Sequence, residues 1–180
     1  MAARAPGTDD ADGFWDLLVG MVPRLRRYAF ALAGASDADD LVQQTLLRAI
    51  DSRLSWQPGS RLDAWLYRIL RNLFIDRIRA RKVRNEAPEP FDPDLLRGGD
   101  AEPEVEAQLM LRAVAASVRR LPLEQREVLL LVAVEGLSYR AAAEALDLPL
   151  GTVQSRLSRA RQALQADLGE LHRQQHGKAP

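Results

Sequence analysis

The sequence predicts an all-α protein: two small helical domains joined by a flexible acidic linker, the C-terminal domain a helix-turn-helix. Three observations carry this. Apolar residues recur at helical spacing almost throughout, and no run sustains strand alternation. The stretch "NEAPEPFDPDLLRGGDAEPEVEA" interrupts that pattern with four prolines, a Gly-Gly pair and eight acids. Beyond it, a short helical pattern, a tight turn and a longer pattern with outward arginines follow the helix-turn-helix order.

Taken in chain order, residues 1–13 (MAARAPGTDDADG) carry acids where a signal peptide would carry a positive n-region and an apolar core. They are expected to form a disordered tail. The first helix is predicted over Phe14 to Leu32, with Leu17, Leu18, Met21, Leu25, Tyr28 and Leu32 at helical spacing, and it stops near Gly34. Ser36 then has the form of an N-cap, with Asp39 three residues on as the reciprocal partner of a capping box. The second helix runs to about Ile50. The loop "SWQPGS", holding Pro58 and Gly59, separates it from a third helix over Leu62 to Arg84. Residues 14–84 thus form the first domain.

Residues 85–104 have too little apolar content to offset the entropy of ordering, so they read as the linker. That acidic segment either folds back on basic surfaces or is simply solvated. The second domain, 105–171, starts with a helix over Val105 to Arg120. Pro122 fits the first turn of the next helix, Leu123 to Val134, which Gly136 closes. Ser138 caps a short helix through Leu146, "DLPLG" makes the turn, and a final helix covers Thr152 to Leu171. Residues 172–180 are expected to be a frayed polar tail.

Composition excludes several classes. With no cysteine there is no disulfide, thiolate metal site or cysteine nucleophile, which is compatible with a reducing cytoplasm. No window approaches about 18 uninterrupted apolar residues, so no membrane insertion is expected. The only histidines, His172 and His176, are i,i+4 neighbours in the tail without a supporting carboxylate pattern, so no metal is expected. There is no glycine-rich phosphate loop of Walker or Rossmann type and hence no cofactor motif. Asp39 and Asp40 are adjacent and face apart on a helix, a poor acid/base pair. No catalytic residue and no enzyme is expected.

The formal net charge is zero, but it is segregated. Residues 53–84 hold nine bases against two acids, and residues 85–106 hold one base against eight acids. A basic segment of that kind fits a polyanion partner, or else a solvated helix face.

Angular placement separates these readings on the third helix. With Arg68 set at zero and about 100° per residue, Asn72 falls near 40°, Trp65 near 60° and Arg79 near 20°. Leu66, Ile69, Leu70 and Leu73 occupy about 100–200°. Ile75 falls on the polar side and Arg77 on the apolar side, which breaks the pattern near the C-terminal end. Duplex phosphates call for bases alone. A single strand also offers unstacked bases, on which a tryptophan and an asparagine act, with stacking contributing about 1–3 kcal/mol per base. The alternative for Trp65 is to close the core at the helix start, and for Asn72 to be a plain surface residue. On the last helix Val153, Leu157, Ala160 and Leu164 form a packing stripe, leaving Gln154, Ser155, Arg156, Ser158 and Arg159 available to base edges and phosphates, the alternative being an ordinary amphipathic helix of a bundle.

Three stretches, "SDADDLVQQTLLRAI", "RLDAWLYRILRNLFIDRIRARK" and "LPLEQREVLLLVAVEGLSYRAAAEALDLPLGTVQSRLSRARQAL", together resemble the bacterial extracytoplasmic-function (ECF) sigma factors. These are sigma-70 family members with only the second and fourth conserved regions. The resemblance spans Phe14 to Arg84 and Val105 to Leu168. It implies that Asp39, Asp40 and Gln43 face the β′ clamp of RNA polymerase core. It implies that Asn72 and its neighbours Trp65, Arg68 and Arg79 handle the melted −10 strand, with the loop from Trp56 to Arg61 holding a flipped-out base at a cost of a few kcal/mol. Gln154, Ser155, Arg156, Ser158 and Arg159 match −35-reading positions, in a domain that also binds the β flap. The linker takes the place of the missing middle regions, near the RNA exit path. An anti-sigma factor that covers these faces, wedging the domains apart, is the implied regulator.

Two departures fall at DNA-reading positions. Trp56-Gln57-Pro58-Gly59 stands where many members have Phe-Arg-Gly, a form similar to the subgroup used for general stress responses. Gln154 stands where many have lysine or arginine. The promoter sequence is therefore not transferable from relatives. Two rivals remain. One is a conventional helix-turn-helix regulator that binds duplex DNA unaided. The other is a sigma mimic that sequesters an anti-sigma factor, which would have no need of Arg68, Arg79, Arg156 and Arg159.

Overall fold

Helix α1 spans Thr8–Ala33, α2 Ala35–Asp51 and α3 Leu62–Val83, with a single 3-10 turn at Arg53–Ser55 between the last two. They belong to a computed structural model that describes residues 8–57, 59–84 and 105–176. The linker expected at 85–104 lies outside the described residues. The C-terminal elements are α4 Val105–Arg120, α5 Leu123–Leu129, a π turn at Leu130–Val134, α6 Tyr139–Leu146 and α7 Leu150–His176. No strand occurs among the described residues. The chain separates into two compact units, one built on α1–α3 and one carrying α4, α5 and α7.

In the N-terminal unit each helix packs on the other two. The apolar stripes foreseen for α1 and α3 supply the core: Leu25 from α1, Leu41 from α2, and Leu66 and Leu70 from α3 are all solvent-excluded. Tyr28 and Tyr67, also fully buried, meet edge to face with ring centroids 5.1 Å apart. Full burial of such side chains contributes about 1.5–3 kcal/mol each.

Three expectations are corrected here. Helix α1 starts at Thr8 rather than Phe14, so residues 8–13 are helical and not an unstructured tail. Leu17, placed in the packing stripe, is 53% exposed, one residue off the buried Phe14–Leu18–Met21–Leu25 line. The capping box does not form. The N-cap of α2 is Gly34, without any side-chain cap hydrogen bond, and Ser36 lies inside the first turn. Gly34 has φ 92°, a left-handed conformation that suits glycine and reverses the chain in one residue. Asp39, freed from capping, pairs with Arg26 of α1 instead.

In the C-terminal unit α7 packs against α4 and α5. Val153, Leu157 and Ala160 are buried as foreseen, while Leu164 is half-buried. Ser138 caps α6 as expected, its Oγ accepting from the Ala141 N–H at 3.2 Å. The expected helix over 123–134 is present, but its second half widens to π geometry, with the Glu135 N–H donating to the Leu130 carbonyl at 3.0 Å. The "DLPLG" turn is a Schellman cap: the Leu148 N–H donates to the Ala143 carbonyl at 3.0 Å, with Asp147 at φ 53°. Helix α7 runs through His176, five residues past its expected end.

Candidate nucleic-acid interface

The polar face of α3 forms because its opposite face is committed to the core. Leu66, Tyr67, Leu70 and Phe74 are buried, and Arg68, Asn72 and Arg79 are exposed on the other side. Trp65, near the start of the same helix, is half-buried. The 3.4 Å pairing of Arg79 with Asp76 is a highly exposed i,i+3 contact, of the kind that contributes little and yields readily to another anion.

Arg61 is the N-cap residue of α3 and is fixed at its start by Asp63, with Nη2–Oδ2 at 2.7 Å. That hydrogen bond raises the Arg61 pKa. For Asp63 burial opposes the charge, but the Arg61 hydrogen bond and the Ala64 N–H outweigh it and hold the carboxyl below its ordinary value. A depressed carboxylate stabilises the fold above its unfolded pKa and loses that contribution as pH falls through the folded one.

In the loop, the Trp56 ring lies 5.5 Å from that of Phe14 on α1, tilted by 48°. Its indole Nε1 is buried without a hydrogen-bond partner among the described residues. Trp56 is thus half-buried and packed against α1. Sequence reasoning missed Phe14 in this role, because the contact joins residues 42 positions apart.

The acidic residues of α2 point to different neighbours. Asp39 accepts from Arg26 of α1, Nε–Oδ1 at 2.9 Å and Nη2–Oδ2 at 3.1 Å. Asp40 accepts from Arg77 of α3 and from Gln44 at 3.2 Å. Asp37, half-buried, pairs with Arg81 at 2.5 Å. Gln43 is exposed beside them. Arg77 sits on the apolar side of α3 because that side abuts α2, where Asp40 and the Asp37 carbonyl receive it. Asp40 therefore has a structural partner on another helix, 37 residues away in the chain.

On α7, Gln154, Ser158 and Arg159 are exposed, and Arg159 has no ion-pair partner among the described residues. Ser155 is half-buried and its Oγ donates to the Thr152 carbonyl at 3.0 Å. Arg156 is half-buried and paired with Glu124 of α5 at 2.9 Å. Among the described residues no group of three or more His, Cys, Asp or Glu side chains is arranged to hold a metal ion. No helix among them is long and apolar enough to cross a membrane.

A helical unit with a mixed aromatic, amide and cationic face, joined to a helix-turn-helix unit, defines a nucleic-acid-binding protein. The comparisons make the class specific. The Sigma-70 region 2 family matches residues 18–84, and the Sigma-70, region 4 family matches residues 111–164. The ECF RNA polymerase sigma factor EcfG of Rhodopseudomonas palustris (strain TIE-1) is 44% identical over 156 residues, covering 86% of this chain and 84% of that protein. The sigma factor RpoE in complex with the anti-sigma factor NepR from Bartonella quintana has a TM-score of 0.72 at 34% identity, covering 87% of this chain and 97% of that one. CnrH in complex with the cytosolic domain of CnrY has a TM-score of 0.67 at 28% identity, covering 91% of each chain. The chain belongs to the ECF RNA polymerase sigma factors of the sigma-70 family.

Proposed function

We propose that this chain is a dissociable specificity subunit that brings core RNA polymerase to −35/−10 promoters in the cytoplasm and helps to open the −10 region, with no catalysis of its own. Within it, Asp39, Asp40 and Gln43 bind the polymerase clamp. Trp56, Arg61, Trp65, Arg68, Asn72 and Arg79 receive the −10 strand, and Gln154, Ser155, Arg156, Ser158 and Arg159 meet the −35 duplex. The C-terminal unit also binds the polymerase β flap. The observation that carries this reading is the exposed α3 face on which Arg68 and Asn72 stand beside half-buried Trp65, opposite solvent-excluded Leu66 and Leu70. Charge, amide and aromatic surface together suit an unpaired strand. The complex of the similar sigma factor RpoE with NepR supports an anti-sigma factor as the regulator that covers these faces.

Run-off transcription with purified core polymerase on a promoter library tests the function and reads out the promoter. Transcripts that depend on both components are expected. A protein that shifts its DNA tightly without core polymerase would instead be a conventional regulator, and one that binds no promoter but captures an anti-sigma factor would be a mimic. On a selected promoter, Asn72→Ala is expected to reduce strand opening, seen by permanganate reactivity, more than closed-complex formation. Equal loss in both steps would remove Asn72 from the single-strand role.

Asp40→Ala is expected to weaken core-polymerase binding several-fold in a pull-down. Because Asp40 also holds Arg77, Arg77→Met serves as the control: it breaks the same helix-to-helix pair but keeps the carboxylate. If Arg77→Met weakens core binding as much as Asp40→Ala does, the pair acts through α2–α3 packing rather than at the clamp.

A further inference from the structure

Arg156 lies among the α7 side chains proposed to meet the −35 duplex, yet its guanidinium is turned back onto the protein. Its Nη2 donates to Glu124 Oε2 at 2.9 Å, and only 19% of the arginine side chain is exposed against 67% of the glutamate. Gln154, Ser158 and Arg159 on the same helix remain exposed. Glu124 is the second residue of α5, and α5 packs directly on α7, so the carboxylate is anchored beside the recognition helix by the fold itself.

We propose that Glu124 is a specificity-determining residue: it withholds Arg156 from indiscriminate phosphate contact, so that DNA engages this arginine only where it offers a better partner than the carboxylate. This deepens the assignment of α7 to the −35 duplex and rests on it. The physical reason lies in relative strengths. A single phosphate oxygen offers Arg156 about what Glu124 already offers, an anion near the surface in high dielectric. A guanine edge accepts two parallel N–H donors through O6 and N7 and outcompetes one partly exposed carboxylate. The acid therefore lowers affinity for unmatched DNA more than for matched DNA, which is specificity by penalty on the wrong partner. Placement of Glu124 in the first turn of α5 also suits the helix dipole. That role alone would leave DNA selectivity unchanged.

The test uses holoenzyme reconstituted from the full chain and core polymerase. The probes are a promoter selected by run-off transcription and the same duplex with its −35 half scrambled, each titrated across a salt series. Glu124→Gln is expected to tighten binding to the scrambled duplex and to steepen its log affinity against log salt by about one, as one recovered phosphate contact requires. Binding to the selected promoter changes less, so selectivity falls by about threefold, within the worth of one partly exposed ion pair. Arg156→Met keeps the packed stem and removes the guanidinium; in that background Glu124→Gln is expected to change nothing. Persistence of the gain there would assign it to direct repulsion between Glu124 and phosphate and overturn the proposal, as would unchanged selectivity in Glu124→Gln. Arg159→Ala separates the two levels. If it changes binding to neither duplex, the assignment of α7 fails and the Glu124 role with it. If selectivity is lost with Arg159→Ala but unmoved by Glu124→Gln, only the Glu124 role fails.

Discussion

Phe14→Ala is expected to destabilise the N-terminal unit by about 3–5 kcal/mol, the range for removing a buried phenylalanine ring and leaving its cavity. Phe14 is 5% exposed and sits at the centre of a small aromatic cluster, with Trp15 edge-on at 5.7 Å and Trp56 at 5.5 Å. Aromatic pairing adds about 0.5–1.5 kcal/mol beyond area burial. A domain of this size has only about 5–15 kcal/mol of total stability, so the change is a large share of it. Thermal unfolding should show a midpoint lowered by more than about 10 °C. A shift within the scatter of surface substitutions would mean that the ring is not integral to the core.

The same substitution reaches toward function through Trp56. That indole is held against α1 by Phe14, and its loop is the one proposed to receive a flipped −10 base. Phe14→Leu, which keeps apolar volume but removes the ring, is expected to retain most of the stability while moving the Trp56 fluorescence toward that of an exposed indole. Phe14 precedes residue 18, where the Sigma-70 region 2 match begins. The part of α1 that precedes that match thus supports a loop lying within it.

What the sequence made legible was whatever is written in local periodicity. The stripes of α1, α3 and α7 repeat every three or four residues, so their buried faces are written in the spacing itself. Helix ends were less legible. Residues 8–13 have the composition of an unstructured tail, yet α1 begins at Thr8. Ser36 and Asp39 had the spacing of a capping box, but Gly34 turns the chain on its own and Arg26, 13 residues away, takes the carboxylate. The contacts least accessible to sequence were the ion pairs between helices. Arg77 and Asp40 are separated by 37 residues, and nothing local distinguishes Asp40 from a solvated charge. At about 100° per residue Arg77 falls on the apolar face of α3, and a charge misplaced in that way signals a partner on a neighbouring helix.

Arg159→Ala is the larger of the expected effects on DNA binding: a loss of about 1–3 kcal/mol at the −35 element if the guanidinium makes a bidentate base contact. Position and freedom both single it out. Arg159 is on the exposed side of α7, opposite buried Val153, Leu157 and Ala160, and has no ion-pair partner among the described residues. At the proposed −35 duplex it would bind without first giving up a carboxylate, whereas Arg156 would have to leave Glu124. Removing Arg159 should therefore cost more affinity than removing Arg156, although the two stand three residues apart on one helix. The loss should be confined to one base position of the −35 element, because a base contact specifies whereas a phosphate contact weakens all sequences alike. A promoter-wide binding profile in which Arg159→Ala lowers every site equally would make Arg159 a phosphate anchor, and one with no −35 change at all would take α7 off the DNA.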